Sequence, residues 1–590
     1  MADNFGNQLR ITDGSTSFEG GVDSAKLTTV ASKENPAGLG RNQVAWLTNG
    51  TVRGGGISPR NGWLKIIDDF DGDGGLFQGA EIYTPDAAVP YIIMSAAGRI
   101  FRLDMWATPN VTEIGIAGDP NPPAEEQSFF QQCEQFMIIQ AGDYITNPLI
   151  WDGATMRRSG GYGAYATEVP PGRTMEYYMG RHWVQVGARN YAAGDIVYGP
   201  SGTAGYNYRD AVLYWTENTY FAGGGAFNVP NQFGAIRAIK HPATLDTALG
   251  EGPLTIFARD AIYALEVPVD RNAWMGVTAD SQPRQRVIQL KYGSTSDRGV
   301  AQINGDLFYP AYDGVRSLKM AVRDYQQWGQ VPLSRNLNRL WQFQDKSFAR
   351  FASGIEFDNR YLLTVLPQGS DIGAVHKGII TLDFDIISSF NQEAPPAWEG
   401  MLEGVDILQI LQAESGGRQR AFALVRGSDT GRIEVWELTK QYKEDQDDKR
   451  INMAIEFPAY NWNSQFALKK LDACEMWFDK IYGTVDGILQ YRVDQDPCWI
   501  DWYVFQMCNA RTSCEDIDDV CYGETTTYRE GYRATKMAPI PPFRSDMNLK
   551  RPSNIGYQFQ ARLLIKGWAR VRGILLHAIP VAKEPYKGLE

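Results

Sequence analysis

Few side chains in this sequence stand at spacings that chemistry requires. Asp69-Phe-Asp-Gly-Asp-Gly74 sets carboxylates at alternate positions and a glycine sixth, like the first half of a calcium loop. The twelfth position is Ala80 rather than a glutamate and no helical pattern flanks it, so a solvated acidic turn is the stronger reading. The four histidines, His182, His241, His376 and His577, are far apart, and none forms His-Glu-x-x-His. There is no Gly-x-Ser-x-Gly elbow and no phosphate loop, and Gly160-Gly-Tyr-Gly163 is too short for a dinucleotide fingerprint. A glycosidase would need two acids around one sugar. Asp260, Asp306, Asp313, Asp383 and Glu437 sit at hairpin ends where they could be recruited, and turn chemistry explains them equally well. No catalytic, cofactor or metal residue is therefore assigned. Arg562, Lys566, Arg570 and Arg572 concentrate positive charge near the end of the chain. They read as a solvated face or as a contact with an acidic neighbour, another copy of the chain included. DNA contact is less favoured, because no aromatic stacking platform accompanies them.

The elements that would position these groups are hairpins. Residues 306–318 read as strand, tight turn, strand, with Asp313-Gly314 as the turn pair. The same design recurs at 91–103, 254–265 and 421–438, and more loosely at 136–151, 183–198 and 361–382. The copies fall roughly 45 to 70 residues apart, near or above the spacing of propeller blades. A lone hairpin cannot bury its apolar face, so such copies must stack or close on one another. Gly-rich insertions at 159–166, 199–206 and 221–227 map to loops. One short helix is expected, with Ser334 as N-cap and Leu337, Leu340 and Trp341 on one face.

The 590 residues suggest two or three domains, and 16 Trp with 29 Tyr lean toward sheet. The expected fold class is mostly β: a propeller-like domain of repeated antiparallel hairpins plus a separate C-terminal β domain. Residues 1–75 form an irregular arm expected to pack on another part of the protein rather than fold alone, 76–440 the propeller-like domain, and 441–590 the C-terminal β domain. In the last region Tyr557, Phe559, Ala561, Leu563 and Ile565 alternate with Gln558, Gln560, Arg562 and Lys566, so the first set is expected inward and the second outward. A net charge of −12 argues against a nucleic-acid glove. The first residues hold no apolar signal region and no apolar run approaches a bilayer span, so cytosolic synthesis without membrane insertion is expected. Five of the six cysteines, from Cys474 to Cys521, cluster late in the chain. They read as reduced thiols or late disulfides before they read as a metal site, since no Cys-x-x-Cys occurs.

A family resemblance joins these segments. Phe18-Glu-Gly-Gly-Val22, Asn49-Gly50 and Pro59-Arg60-Asn-Gly62 resemble the start of the tail tubular protein B family, the nozzle or tail hub proteins of short-tailed bacteriophages. Met179-Gly-Arg-His-Trp-Val184, Gly224-Gly-Ala-Phe-Asn-Val-Pro230 and Gly234-Ala-Ile-Arg-Ala-Ile239 resemble its middle. Asn304-Gly-Asp-Leu-Phe308 with Asp313-Gly-Val-Arg-Ser317 resembles its propeller strands, and Asn554-Ile-Gly-Tyr-Gln-Phe-Gln-Ala-Arg562 with Gly573-Ile-Leu-Leu its closing strands. The resemblance implies a non-enzymatic virion protein without cofactor, in which a propeller-like domain sits with a β platform domain built from the N- and C-terminal segments, residues 1–75 and 441–590. It would be a homohexameric ring in the tail, below an adaptor protein and above fibre or tip proteins, with genomic DNA passing through the lumen unbound. The rival reading is a carbohydrate-binding or glycan-degrading propeller.

Overall fold

The computed structural model describes residues 10–33, 35–68, 75–106, 108–160, 167–194, 213–215, 226–242, 252–267, 283–319, 331–385, 396–508, 528–534 and 554–581. The chain is mostly β. Among the described residues, five antiparallel sheets follow one another between Phe77 and Ser317, four of them four-stranded and the last three-stranded, beside a two-stranded pairing of Thr167–Glu168 with Tyr214–Trp215. Two more antiparallel units are continuous with the large sheet. One is Gly354–Glu356, Arg360–Ser370, Gly373–Asp383 and Ala397–Leu402. The other is Asp406–Ser415, Arg418–Arg426 and Ile433–Leu438, and its fourth strand is Trp63–Ile67 from the arm.

These units form a closed ring, because apolar side chains fill every seam between neighbours. Phe257 meets Tyr309 between the fourth and fifth units, with ring centroids 5.2 Å apart, and Phe308 meets Tyr361 between the fifth and sixth at 5.7 Å. Ile410 and Ala423 pack on Leu362 and Ile379 between the sixth and seventh. Leu408 and Leu424 then pack on Phe77 and Ile92, which joins the seventh to the first. A circle of small twisted sheets closed in this way is a β-propeller. The N-terminal strand Trp63–Ile67 bonds to Ile433–Leu438 and fastens the two ends of the circle.

All seven hairpins expected from the sequence are present, each as the second and third strands of its unit. Two local expectations are corrected. The turn of the Asp306–Ala311 hairpin is Tyr312-Asp313, and Gly314 opens the next strand at φ 146°. A Cβ there would stand 2.3 Å from Ser334 Oγ. That hydroxyl accepts the Val315 N–H at 2.8 Å, so Ser334 does not cap the helix. Pro332 precedes the 3-10 turn Leu333–Leu337, which runs into the short helix Asn338–Trp341, and Leu337 and Leu340 are buried as expected. The acidic stretch 69–74, residues 161–166 and 199–206, and Cys514 and Cys521 lie outside the described residues.

The platform is built differently. Lys469–Val493 is a single strand of 25 residues, roughly 80 Å along its path at the usual rise. It pairs along most of its length with Phe559–Pro580, through several bulges that bend both strands. Asn452–Tyr460 and Ile500–Cys508 add to this pair. The arm enters as Ile11–Ser15 on Phe559–Pro580 and as Trp46–Thr48 on Asn452–Tyr460. Phe18, Leu47, Phe457, Tyr491 and Leu563 share the largest core, so both chain ends are bound into one body. Phe559, Ala561, Leu563 and Ile565 face inward as expected. Gln560 is buried too, because its amide donates to the Phe457 carbonyl at 2.8 Å and its oxygen accepts from Arg492.

Candidate functional site

The first strand of each unit faces the ring axis. Phe77–Tyr83, Phe129–Cys133, Met175–Tyr178 and Ile236–Lys240 follow one another around it, and Asp406–Ser415 closes back on Phe77–Tyr83. An axial cavity of about 270 Å³ is lined by Glu81, Lys240, Asp297, Arg298, Glu356 and Gln409, among others. Its polar lining is tied to groups beside it. Lys240 Nζ lies 3.3 Å from Glu176 Oε2, and His241 Nδ1 lies 2.8 Å from Glu176 Oε1. Thr174 donates its hydroxyl to Asp297, and Arg298 donates to the carbonyls of Gln78 and Ser128. Burial pushes the carboxyls of Glu81 and Asp297 up and pulls the Arg298 guanidinium down to about 10. Burial also pulls on Lys240, but Glu176, Asp297 and Glu81 outweigh it and raise its pKa. Such a cluster holds together because each desolvated charge has a counter-charge nearby. The cavity has room for a few waters or one small polar molecule.

The acids expected at hairpin ends do not converge on this axis. Asp260 pairs with Arg259, Asp313 with Arg316, Asp383 with Arg53, and Glu437 with Arg420, while Asp306 accepts from Ser317 and the Lys319 N–H. The reason is geometric. They lie on second and third strands or their turns, whereas axial side chains come from first strands. Sequence reading missed Glu81, Glu176, Lys240, Asp297 and Arg298. The available signal was a charge inside or beside the short apolar strand that precedes each hairpin. The remaining histidines are dispersed, with His182 and His376 buried and pulled by burial down to about 3 and about 4.

A second polar cluster locks the arm to the propeller. Arg53 grips Asp383 with two bonds of 2.9 Å and reaches Asp358 at 2.9 Å. Arg360 bonds Glu399 at 3.0 Å and Asp358 at 2.8 Å. Glu399 also accepts from the Thr51 hydroxyl and the Val52 N–H. Burial pushes Glu399 up. It pushes Asp383 up as well, but Arg53 and Arg360 prevail and hold that carboxyl below its ordinary range. Nearby, Arg60 grips Asp445 at 2.6 and 2.9 Å. Thr51, Arg53, Arg60, Asp358, Arg360 and Glu399 line a seam cavity of about 280 Å³.

On the platform the four basic residues split into two kinds. Arg570 is closed off by Asp479 at 2.7 Å, and Arg572 lies 3.5 Å from the same carboxylate and donates to the Gly54 carbonyl. Among the described residues Arg562 bonds the neutral Gln490, at 2.7 Å, and stacks 4.5 Å from the Trp499 ring centre; Lys566 is exposed. Cys133 and Cys474 are buried free thiols pushed up by burial, and Cys498 is an exposed one.

Comparison with known proteins shows no family. No family model matches the chain, and no curated protein matches it. Among solved structures, a BBS1N chain in complex with ARL6DN aligns at TM-score 0.34 and 10% identity, over 65% of this chain and 98% of that one. Virginiamycin B lyase from Staphylococcus aureus aligns at 0.33 and 9%, over 64% and 99%. A glycoside hydrolase aligns at 0.23 and 10%, over 87% and 99%. This chain is a β-propeller protein. The strand order and the closed ring of seams establish that, and likeness this distant adds nothing about activity. Among the described residues no helix is long and apolar enough to cross a membrane, and no cluster of His, Cys, Asp and Glu could hold a metal ion.

Proposed function

We propose that this chain is a tail nozzle subunit of a short-tailed bacteriophage, a structural virion protein whose six copies form a ring through which genomic DNA is ejected. The platform is the observation that carries the reading. A 25-residue strand paired to a 22-residue one, and bound to both chain ends, suits the wall of a tube better than it suits a catalyst. The propeller's own axis, a charged cavity of about 270 Å³, is far too small for a duplex, so the channel lies between copies. A subunit charge of −12 repels the phosphate backbone and avoids the counterion-release attraction that would make DNA stick. Adaptor and fibre or tip proteins occupy the two ends of the ring, and the chain acts without enzyme chemistry or cofactor. Light scattering with negative-stain imaging of the purified full-length chain tests this: six-fold rings are expected, and a protein that stays monomeric at every concentration overturns it.

One observation favours the rival glycan-directed reading, namely the carboxyls of Glu81 and Asp297 held toward their protonated forms beside the axial cavity. A glycan-release assay separates the two, since turnover abolished by Glu81→Gln belongs only to the rival.

A further inference from the structure

The outer face of the platform sheet carries side chains in rows that cross the strands. Val504, Ile488, Leu564, Ala454 and Thr48 form one row, each opposite the next in register. Their neighbours along the strands, Phe505, Leu489, Leu563, Ile455 and Leu47, are in the main core, so this row points the other way. Val504 is 67% exposed and the other four are half-buried. The rows on either side are polar apart from Trp46 at the end of one. Asp501, Gln490, Arg562, Glu456 and Trp46 make one, tied by Gln490 to Asp501 at 2.6 Å and by Arg562 to Gln490. Gln506, Asp486, Lys566 and Asn452 make the other.

A solvated sheet face carries polar side chains throughout. An apolar stripe across four strands, ending at Thr48 and set between two charged rows, is instead the pattern of an interface, with an apolar centre and a polar rim. Its charge says what fits. Arg562 and Arg492 both stack on Trp499, at 4.5 and 4.6 Å, and Arg339 stands 3.6 Å from Glu456. With Arg450 and Lys566 these five cations outnumber the four acids Glu456, Asp486, Asp496 and Asp501 on a chain whose net charge is −12. The patch therefore fits an acidic surface, and the acidic polypeptide at hand is another copy of this chain. Contact between unlike surfaces of identical subunits is the kind that closes a ring.

We propose that this face, centred on Val504 and Leu564 and rimmed by Arg562 and Lys566, is where one subunit docks on an acidic surface of the next. The inference deepens the ring reading and rests on it. Val504→Glu and Arg562→Glu in the full-length chain test it by sedimentation, with unfolding curves run alongside and exposed Ile145→Glu on the propeller as control. Both variants should weaken self-association by about tenfold or more, with unfolding unchanged for Val504→Glu, while the control assembles normally. Added salt should loosen the native assembly more than the Arg562→Glu one. Rings formed normally by both variants would overturn this assignment and leave the ring reading standing. A native chain that never associates would overturn both.

Discussion

In the propeller, strands meet partners a few residues away; Cys133 lies opposite Phe136 and Ala96 opposite Arg99. In the platform, Thr12 meets His577, 565 residues along the chain. The two regions bury similar apolar side chains, yet one is a sum of local hairpins and the other forms only when the whole chain is present. Loop closure must precede such distant contacts, so the platform is the slower and less modular structure. The propeller can tolerate damage to one seam, whereas damage to the platform core loosens both ends at once.

Paired core substitutions test that difference most strongly. Phe457→Ala, beneath Phe18 at 5.8 Å, should cost about 3–5 kcal/mol and free the arm to proteolysis. Phe257→Ala should cost a similar amount while moving only the propeller's part of a urea transition followed by hydrogen exchange. Equal loss of protection in both regions after either change would erase the contrast. Arg53→Ala comes next. It leaves buried Asp383 with Arg360, at 3.4 Å, as its nearest cation beside the Asp385 N–H at 2.8 Å, and should cost about 3 kcal/mol, read as early release of residues 10–60 in limited proteolysis.

Acid should act on the propeller first. His182 and His376 have folded pKa values of about 3 and about 4, below the ordinary 6.5, so the fold favours their neutral forms. Their contribution is complete above pH 6.5 and is lost as pH falls toward the folded values, at about 1.4 kcal/mol per histidine per pH unit. Thermal melts from pH 7 to 5 should show this slope, and the double substitution to glutamine should flatten it. The smallest effects separate the basic residues of the platform. Arg570→Ala should cost about 1 kcal/mol through its bond to Asp479, and exposed Lys566→Ala should stay within about 0.5 kcal/mol in denaturant titrations.

What the sequence disclosed follows the same division. Every propeller hairpin was legible, because turn residues and flanking apolar runs lie within one short window. The first strands were not, since three to ten residues of mixed polarity without a turn of their own carry no clear period, and the axial charges were missed with them. In the platform the alternation from Phe559 to Ile565 was plain, but Gln560 was expected outward. Its burial depends on the Phe457 carbonyl, 103 residues away. The outer rows of the platform sheet were invisible for the same reason, since a row exists only after five strands align.

The strand Trp63–Ile67 also sets a schedule. Lys65 leaves the ribosome long before its partner Glu434, 369 residues later. At about 5–20 residues per second that is a wait of roughly 20–70 s, during which the disc is open and its last edge bare. Until translation nears its end, a chaperone or the growing hairpins themselves must shelter that segment, and nascent chains crowded on one message are most exposed to exchanging it with each other.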